Sequence, residues 1–315
     1  MLLLRCRPLL PSHPSRLLTP FLPPATASRR CSSSSSSLQR WASLWRSGGD
    51  SFTLADVNPN LVEFLPELLP GLPPAGEAAP ASSGFAALWG GGGSRARAAA
   101  AAATPPASLR VVLVPLCGRT PDLAWLAEVG VSGPGGEAAP LLHIVGVDAI
   151  AEPLRRFASE AGNGLIPLAE VDPAAADAGK QPPLASYSTA RYRNLTLLHA
   201  DMLDARVCPA TLGAPADAVW DRGGLTAIAP EQRAAYAAQL HALMAPGARL
   251  LLELLACNLP LEGACSAEDA QAVLAGAGFC KLRILLTRDV RAEYPNFTPP
   301  GLTQLEEVVI LAERH

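Results

Sequence analysis

Four short polar groupings interrupt an otherwise apolar body, and each stands at the end of a run that could be a strand. Leu116-Cys117-Gly118 follows Arg110–Pro115, Asp148 closes Leu142–Val147, Asp201-Met202 comes just after Leu195–His199, and Asp221-Arg222-Gly223 closes a fourth run from Asp217. A glycine turn lets backbone approach a ligand closely. A carboxylate closing the second strand can accept from both hydroxyls of a ribose. Asp201 is placed to take an exocyclic amine, and Met202 to pack on an adenine face. Any one of these acids could simply cap a turn. Repetition after four successive strands favours a bound ligand, because open α/β sheets bind at the carboxyl ends of their strands. Only Gly118 occupies the first turn, where a dinucleotide fingerprint wants three glycines, so a smaller adenosyl cofactor fits better. Cys117 invites a nucleophile reading, but no histidine or orienting acid pairs with it in sequence.

Those groupings need elements to carry them. Val111 to Asp148 reads as an opening βαβ unit, its helix Asp122–Val129 started by Thr120-Pro121. Further helices are expected at Ala151–Ala161, at Pro230–Met244, and after Ser266-Ala-Glu-Asp269, which resembles a capping box. A fifth strand is expected at Arg249–Leu255, and Lys281–Thr287 with Glu306–Ala312 close the sheet as an antiparallel pair. Strand–helix alternation of this kind predicts a doubly wound, mostly parallel α/β sheet of seven strands with an antiparallel edge strand. Trp41 to Leu69 has helical character ahead of the sheet.

Composition sets the boundaries. Seven arginines and the serine run Ser32–Ser37 precede the first acid, Asp50. An Arg- and Ser-rich, acid-free start describes an organellar transit peptide, for chloroplast or mitochondrion, over residues 1–40. If the leader is no signal, the protein is cytoplasmic. Without those seven charges the formal net of −3 becomes about −10, an acidic body that disfavours nucleic acid as a partner. No apolar run approaches a membrane span. Residues 71–107 and 162–193, rich in Pro, Ala and Gly, read as low-complexity inserts in one domain spanning 41–315. The seven cysteines and five histidines show no metal-type spacing, so neither a structural metal nor disulfides are expected. No interface motif stands out, and a monomer is expected.

The blocks Pro115-Leu-Cys-Gly-Arg119, Val145-Gly-Val-Asp148, Trp220-Asp-Arg-Gly-Gly-Leu225 and Ala229–Tyr236 resemble those of the thiopurine S-methyltransferase family. So does the Trp41-x3-Trp45-x6-Phe52 spacing. The likeness runs over 41–69 and 109–255, with a weaker tail. It implies a Rossmann-like class I methyltransferase using S-adenosyl-L-methionine. By the same resemblance, Trp41, Trp45 and Phe52 would fold over the cofactor, with Phe52 also near the substrate. Leu116 would touch the cofactor beside Gly118, Asp148 would hold the ribose, Asp201-Met202 would flank the adenine, and Arg222 would neutralise the methionine carboxylate. Two departures stand out: the family's Gly-Pro-Pro-Phe after strand five is replaced here by Leu261–Ser266, and Asp201 stands where the family's animal members usually carry serine or another residue.

The implied reaction is in-line methyl transfer to a small soft nucleophile: a thiol, a thiopurine, or a sulfur, selenium or halide acceptor. Such acceptors need alignment and exclusion of water more than a general base. Two alternatives remain at this level. One is a same-fold methyltransferase with a different small-molecule acceptor, which the altered loop would permit. The other is a non-catalytic protein that binds S-adenosyl-L-methionine. A nicotinamide oxidoreductase lacks both its glycine pattern and a Tyr-x3-Lys.

Overall fold

The computed structural model describes residues 35–47, 53–72, 109–129, 141–161, 164–170, 184–261, 263–295, 297 and 299–315. Two helices, α1 (Ser35–Arg46) and α2 (Pro59–Leu68), precede the sheet. Then follow β1 (Arg110–Pro115), α3 (Asp122–Val129), β2 (Leu142–Asp148), α4 (Ala151–Glu160), β3 (Leu165–Glu170), β4 (Ala185–Thr189) and β5 (Leu195–His199). The second half carries α5 (Pro209–Leu212), β6 (Ala216–Arg222), α6 (Gly224–Ala227), α7 (Arg233–Leu243), β7 (Met244–Cys257), α8 (Ala267–Gly276), β8 (Phe279–Asp289) and β9 (Leu305–Arg314).

One sheet contains all these strands, in the order β3-β4-β5-β2-β1-β6-β7-β9-β8. Strands β5, β2, β1, β6 and β7 run parallel. The chain winds outward from β1 in one direction to β2 and later resumes on the other side with β6. The β1/β6 boundary is therefore the switch point where such sheets bind ligands. Apolar side chains cover both faces: Leu61, Leu123, Leu126, Leu154 and Phe157 pack on one, and Tyr236, Leu240 and Leu274 on the other. Helices on both faces of a mostly parallel sheet make the architecture doubly wound.

Among the described residues the sheet has nine strands where the sequence predicts seven. The additional pair is β3 and β4, antiparallel to one another and to β5, and it falls inside the 162–193 stretch read as an insert. Pro167 lies within β3, where a shift in register follows it. Proline lacks the N–H a central strand must donate, but it is tolerated on an edge, and β3 is the edge. At the other side the antiparallel strand is β9, lying between β7 and the edge strand β8.

The front departs from expectation too. The helical stretch from Trp41 breaks into α1 and α2, and α1 begins at Ser35, inside the residues read as leader. Asn58 explains the break, because its side chain accepts from the Asn60 and Leu61 amides and Pro59 fixes the first helical position. Ser266 caps α8 as the sequence predicts, accepting from the Asp269 amide at 3.0 Å. Phe52, residues 1–34 of the leader and residues 73–107 of the first insert lie outside the described residues.

Candidate functional site

The carboxyl ends of β1 and β2 form the floor of the site. The chain leaves β1 through two residues with left-handed backbone, Leu116 (φ 46°) and Gly118 (φ 56°). Such a conformation is ordinary for glycine but costs about 1 kcal/mol or more at leucine, and strain of this kind collects where function requires it. The turn is locked across the sheet. Gly118 N–H donates to Asp148 Oδ2 at 2.8 Å, and Ile150 N–H donates to Oδ1, also at 2.8 Å. Burial pushes the Asp148 carboxyl up to about 6, against the opposing pull of those two amides. A carboxylate has roughly four acceptor positions. One amide on each oxygen leaves room for the two hydroxyls of a ribose.

Trp45 roofs this turn. A Cβ placed on Gly118 would lie 3.2 Å from Trp45 Cζ2, close enough to press the indole back from the turn. Arg156 Nη2 donates to the Trp45 carbonyl at 3.0 Å and fixes α1 against α4. Trp41, one turn earlier, carries the Arg40 guanidinium 5.6 Å from its ring centre. Cys117 is buried in the same turn, and burial, then the nearby Asp148 charge, push its thiol well above the ordinary range. It is held as a thiol, which opposes the nucleophile reading.

At the end of β5, Ala200 N–H donates to the Asp148 carbonyl at 3.0 Å, bringing Asp201 beside the β2 terminus. Asp201 is half-buried, and its Oδ1 accepts the Leu203 amide at 2.9 Å. Met202 is buried and packs in the core with Val145, Val147 and Leu198. Of this pair, Asp201 is the less covered.

The β6 end is built differently. Asp221 points into the core, where it accepts Tyr236 Oη at 2.9 Å and the Gly224 amide at 2.7 Å. Burial pushes its carboxyl to about 7, the two donors pulling it back only in part. Gly223 turns the chain at φ 71°, and a Cβ on Gly224 would lie 2.3 Å from Asp221 Oδ1. Arg222 faces the other side of the sheet, its Nε donating to Glu253 Oε1 at 3.2 Å. Glu253 also accepts from Asn58 and Asn60 at the start of α2.

These buried partners are the residues that sequence reasoning missed. A signal existed for Glu253, an acid inside the apolar run Leu250–Leu255. For Asp122, which accepts the Asn58 amide at 2.8 Å and Trp220 Nε1 at 2.9 Å, an acid in the first turn of a helix reads as dipole compensation and conceals the rest.

The loop after β7 is held from α7 at Gly263 and Ala264. Arg233 Nε donates to the Leu225 carbonyl at 3.1 Å, Nη1 to Ala264 at 3.0 Å and Nη2 to Gly263 at 2.9 Å. Cys265 is buried beneath. One guanidinium on α7 thus ties α6 to this loop.

Comparison with known proteins agrees with this layout. A family model described as Thiopurine S-methyltransferase (TPMT) matches residues 99–315. The thiopurine S-methyltransferase of Pseudomonas fluorescens is 30% identical over 206 residues, covering 63% of this chain and 79% of that protein. The one from Nitrosospira multiformis is 27% identical over 277 residues, covering 86% and 95%. Among solved structures, the Burkholderia thailandensis 1,6-didemethyltoxoflavin-N1-methyltransferase, with 1,6-didemethyltoxoflavin and S-adenosylhomocysteine bound, superposes with a TM-score of 0.51 at 14% identity. It covers 92% of this chain and 94% of its own, a likeness of fold.

Proposed function

The chain belongs to the thiopurine S-methyltransferase family, and from that premise we propose that it methylates a small soft nucleophile such as a thiol, a thiopurine or a selenium or halide anion. It is an S-adenosyl-L-methionine-dependent methyltransferase of class I fold. When bound, S-adenosyl-L-methionine supplies a methyl group on a positively charged sulfur.

The residues present suit that group. Asp148 would hold the ribose hydroxyls with its remaining acceptor capacity, and the Leu116–Gly118 turn would lie along the adenosyl moiety under Trp45, with Trp41 beside it. Asp201 would take the adenine amine, with Met202 packed beneath. Arg222 would face the amino-acid carboxylate. Phe52 would reach the acceptor.

The observation that supports a soft acceptor is what the buried acids Asp148, Asp221 and Glu253 do. Asp148 grips two amides, Asp221 a tyrosine and an amide, and Glu253 an arginine and two asparagines. Each is engaged in holding structure. An acceptor that arrives as an anion or a polarisable sulfur asks of such a site only alignment and dryness.

Calorimetric titration with S-adenosyl-L-methionine, then turnover assays with thiols, thiopurines, selenite, tellurite and halides, test this. Turnover confined to amines or alcohols would overturn the soft-acceptor reading. A different small-molecule acceptor is the second reading, supported by Leu261–Ser266 standing where the family has Gly-Pro-Pro-Phe. We also propose organellar targeting by residues 1–40; a reporter fused to them and remaining cytoplasmic would refute it.

A further inference from the structure

Glu253 stands in β7 where its neighbours are leucines, and it is gripped from two sides. From α2, Asn58 Nδ2 donates to both carboxylate oxygens at 3.0 and 2.9 Å, and Asn60 Nδ2 donates to Oε2 at 2.7 Å. From the adjacent strand, Arg222 lies opposite it in register and donates through Nε at 3.2 Å. Asn58 is engaged in turn: its Oδ1 caps α2 through the Asn60 amide at 2.8 Å, and its own amide donates to Asp122. One carboxylate therefore fastens both the start of α2 and the guanidinium at the end of β6. A well-packed apolar side chain would hold the sheet as well or better, since a buried ion pair repays its desolvation poorly. What the carboxylate adds is placement.

We propose that Glu253 is a positioning residue of the methyl-transfer site, coupling the seating of residues 53–61 to the orientation of Arg222. Ligand binding at Arg222 and the fastening of that segment are then linked, and the linkage runs both ways. The inference rests on the assignment of Arg222 to the cofactor made above.

The test uses the full-length protein with S-adenosylhomocysteine as the probe, following its Kd by calorimetry and hydrogen exchange at the Asn60, Leu61 and Val62 amides. In the parent protein the probe binds and slows exchange at those amides. Glu253→Gln keeps the size and one acceptor oxygen but removes the charge, and it should weaken binding about tenfold and abolish the slowing. Asn60→Ala leaves the Arg222–Glu253 pair intact and should weaken binding by a smaller factor, about threefold, again with less slowing. A residue that serves stability alone would lower the unfolding midpoint in both variants yet leave Kd and the probe-dependent slowing unchanged. That result overturns the proposal. Failure of the parent protein to bind the probe would instead overturn the cofactor assignment, and this coupling with it.

Discussion

The Gly118 amide points at Asp148 Oδ2 from 2.8 Å, so the turn after β1 and the acid after β2 form one unit. Ligand hydroxyls donating to Asp148 would favour its ionised form. Its carboxyl sits near 6, so affinity for S-adenosylhomocysteine should fall as pH drops through that value. Asp148→Asn should bind about 10- to 100-fold more weakly, the loss of one or two hydrogen bonds to a charged group, with the pH dependence around 6 removed. Calorimetry across that range decides it. An unchanged profile in the variant would remove Asp148 from the ligand site.

Asp221 makes a different pH statement, one about stability. Its carboxyl is raised from 3.8 to about 7, so the folded state binds this proton more tightly than the unfolded chain does. The stabilisation is complete below the unfolded value and is lost as pH rises through about 7. At most it amounts to about 4 kcal/mol. Asp221→Asn should flatten the fall in unfolding free energy over this window. Denaturant melts at several pH values measure the slope, and equal slopes in both proteins would sink the attribution.

Gly118→Ala tests the roof. The new methyl meets Trp45 Cζ2 at 3.2 Å, and the backbone must hold φ 56° with a side chain present. A destabilisation of about 1–2 kcal/mol is expected, with weaker S-adenosylhomocysteine binding as the indole is pushed away. A variant with the parent's melting temperature and affinity would show that the turn and the indole move freely.

Arg233→Ala separates the two halves of the site. It frees the Leu225, Ala264 and Gly263 carbonyls, and with them the loop proposed above to border the acceptor. KM for the acceptor should rise about tenfold or more, while the Kd of S-adenosylhomocysteine holds within about twofold. Equal losses in both would mean that the loop supports the whole site.

Much of this was legible because the signals were local. Four apolar runs ending in Cys117-Gly118, Asp148, Asp201 and Asp221-Arg222 located the strand ends, and Ser266 and Pro230 marked helix starts at which helices or turns do begin. What could not be read was long-range or weakly patterned. Nothing near Asn58 in sequence says that its side chain meets Glu253, since the partner is set by the sheet. β3 escaped because a proline in a short, poorly alternating run is acceptable only on an edge, and edge position is a property of the finished sheet. The direction in which Asp221 and Arg222 part, one into the core and one toward Glu253, follows from strand alternation once the strand is known.

The bonds from Asn58 to Glu253 join residues 195 apart in the chain. At roughly 5–20 residues per second of synthesis, on the order of 10–40 seconds separate the emergence of the two partners. Contacts of such span also form slowly, because the intervening loop must close before they contribute anything. Asn58 reaches the ribosome exit well before β7 exists to receive it. The start of α2 thus waits on a partner that is synthesised long after it.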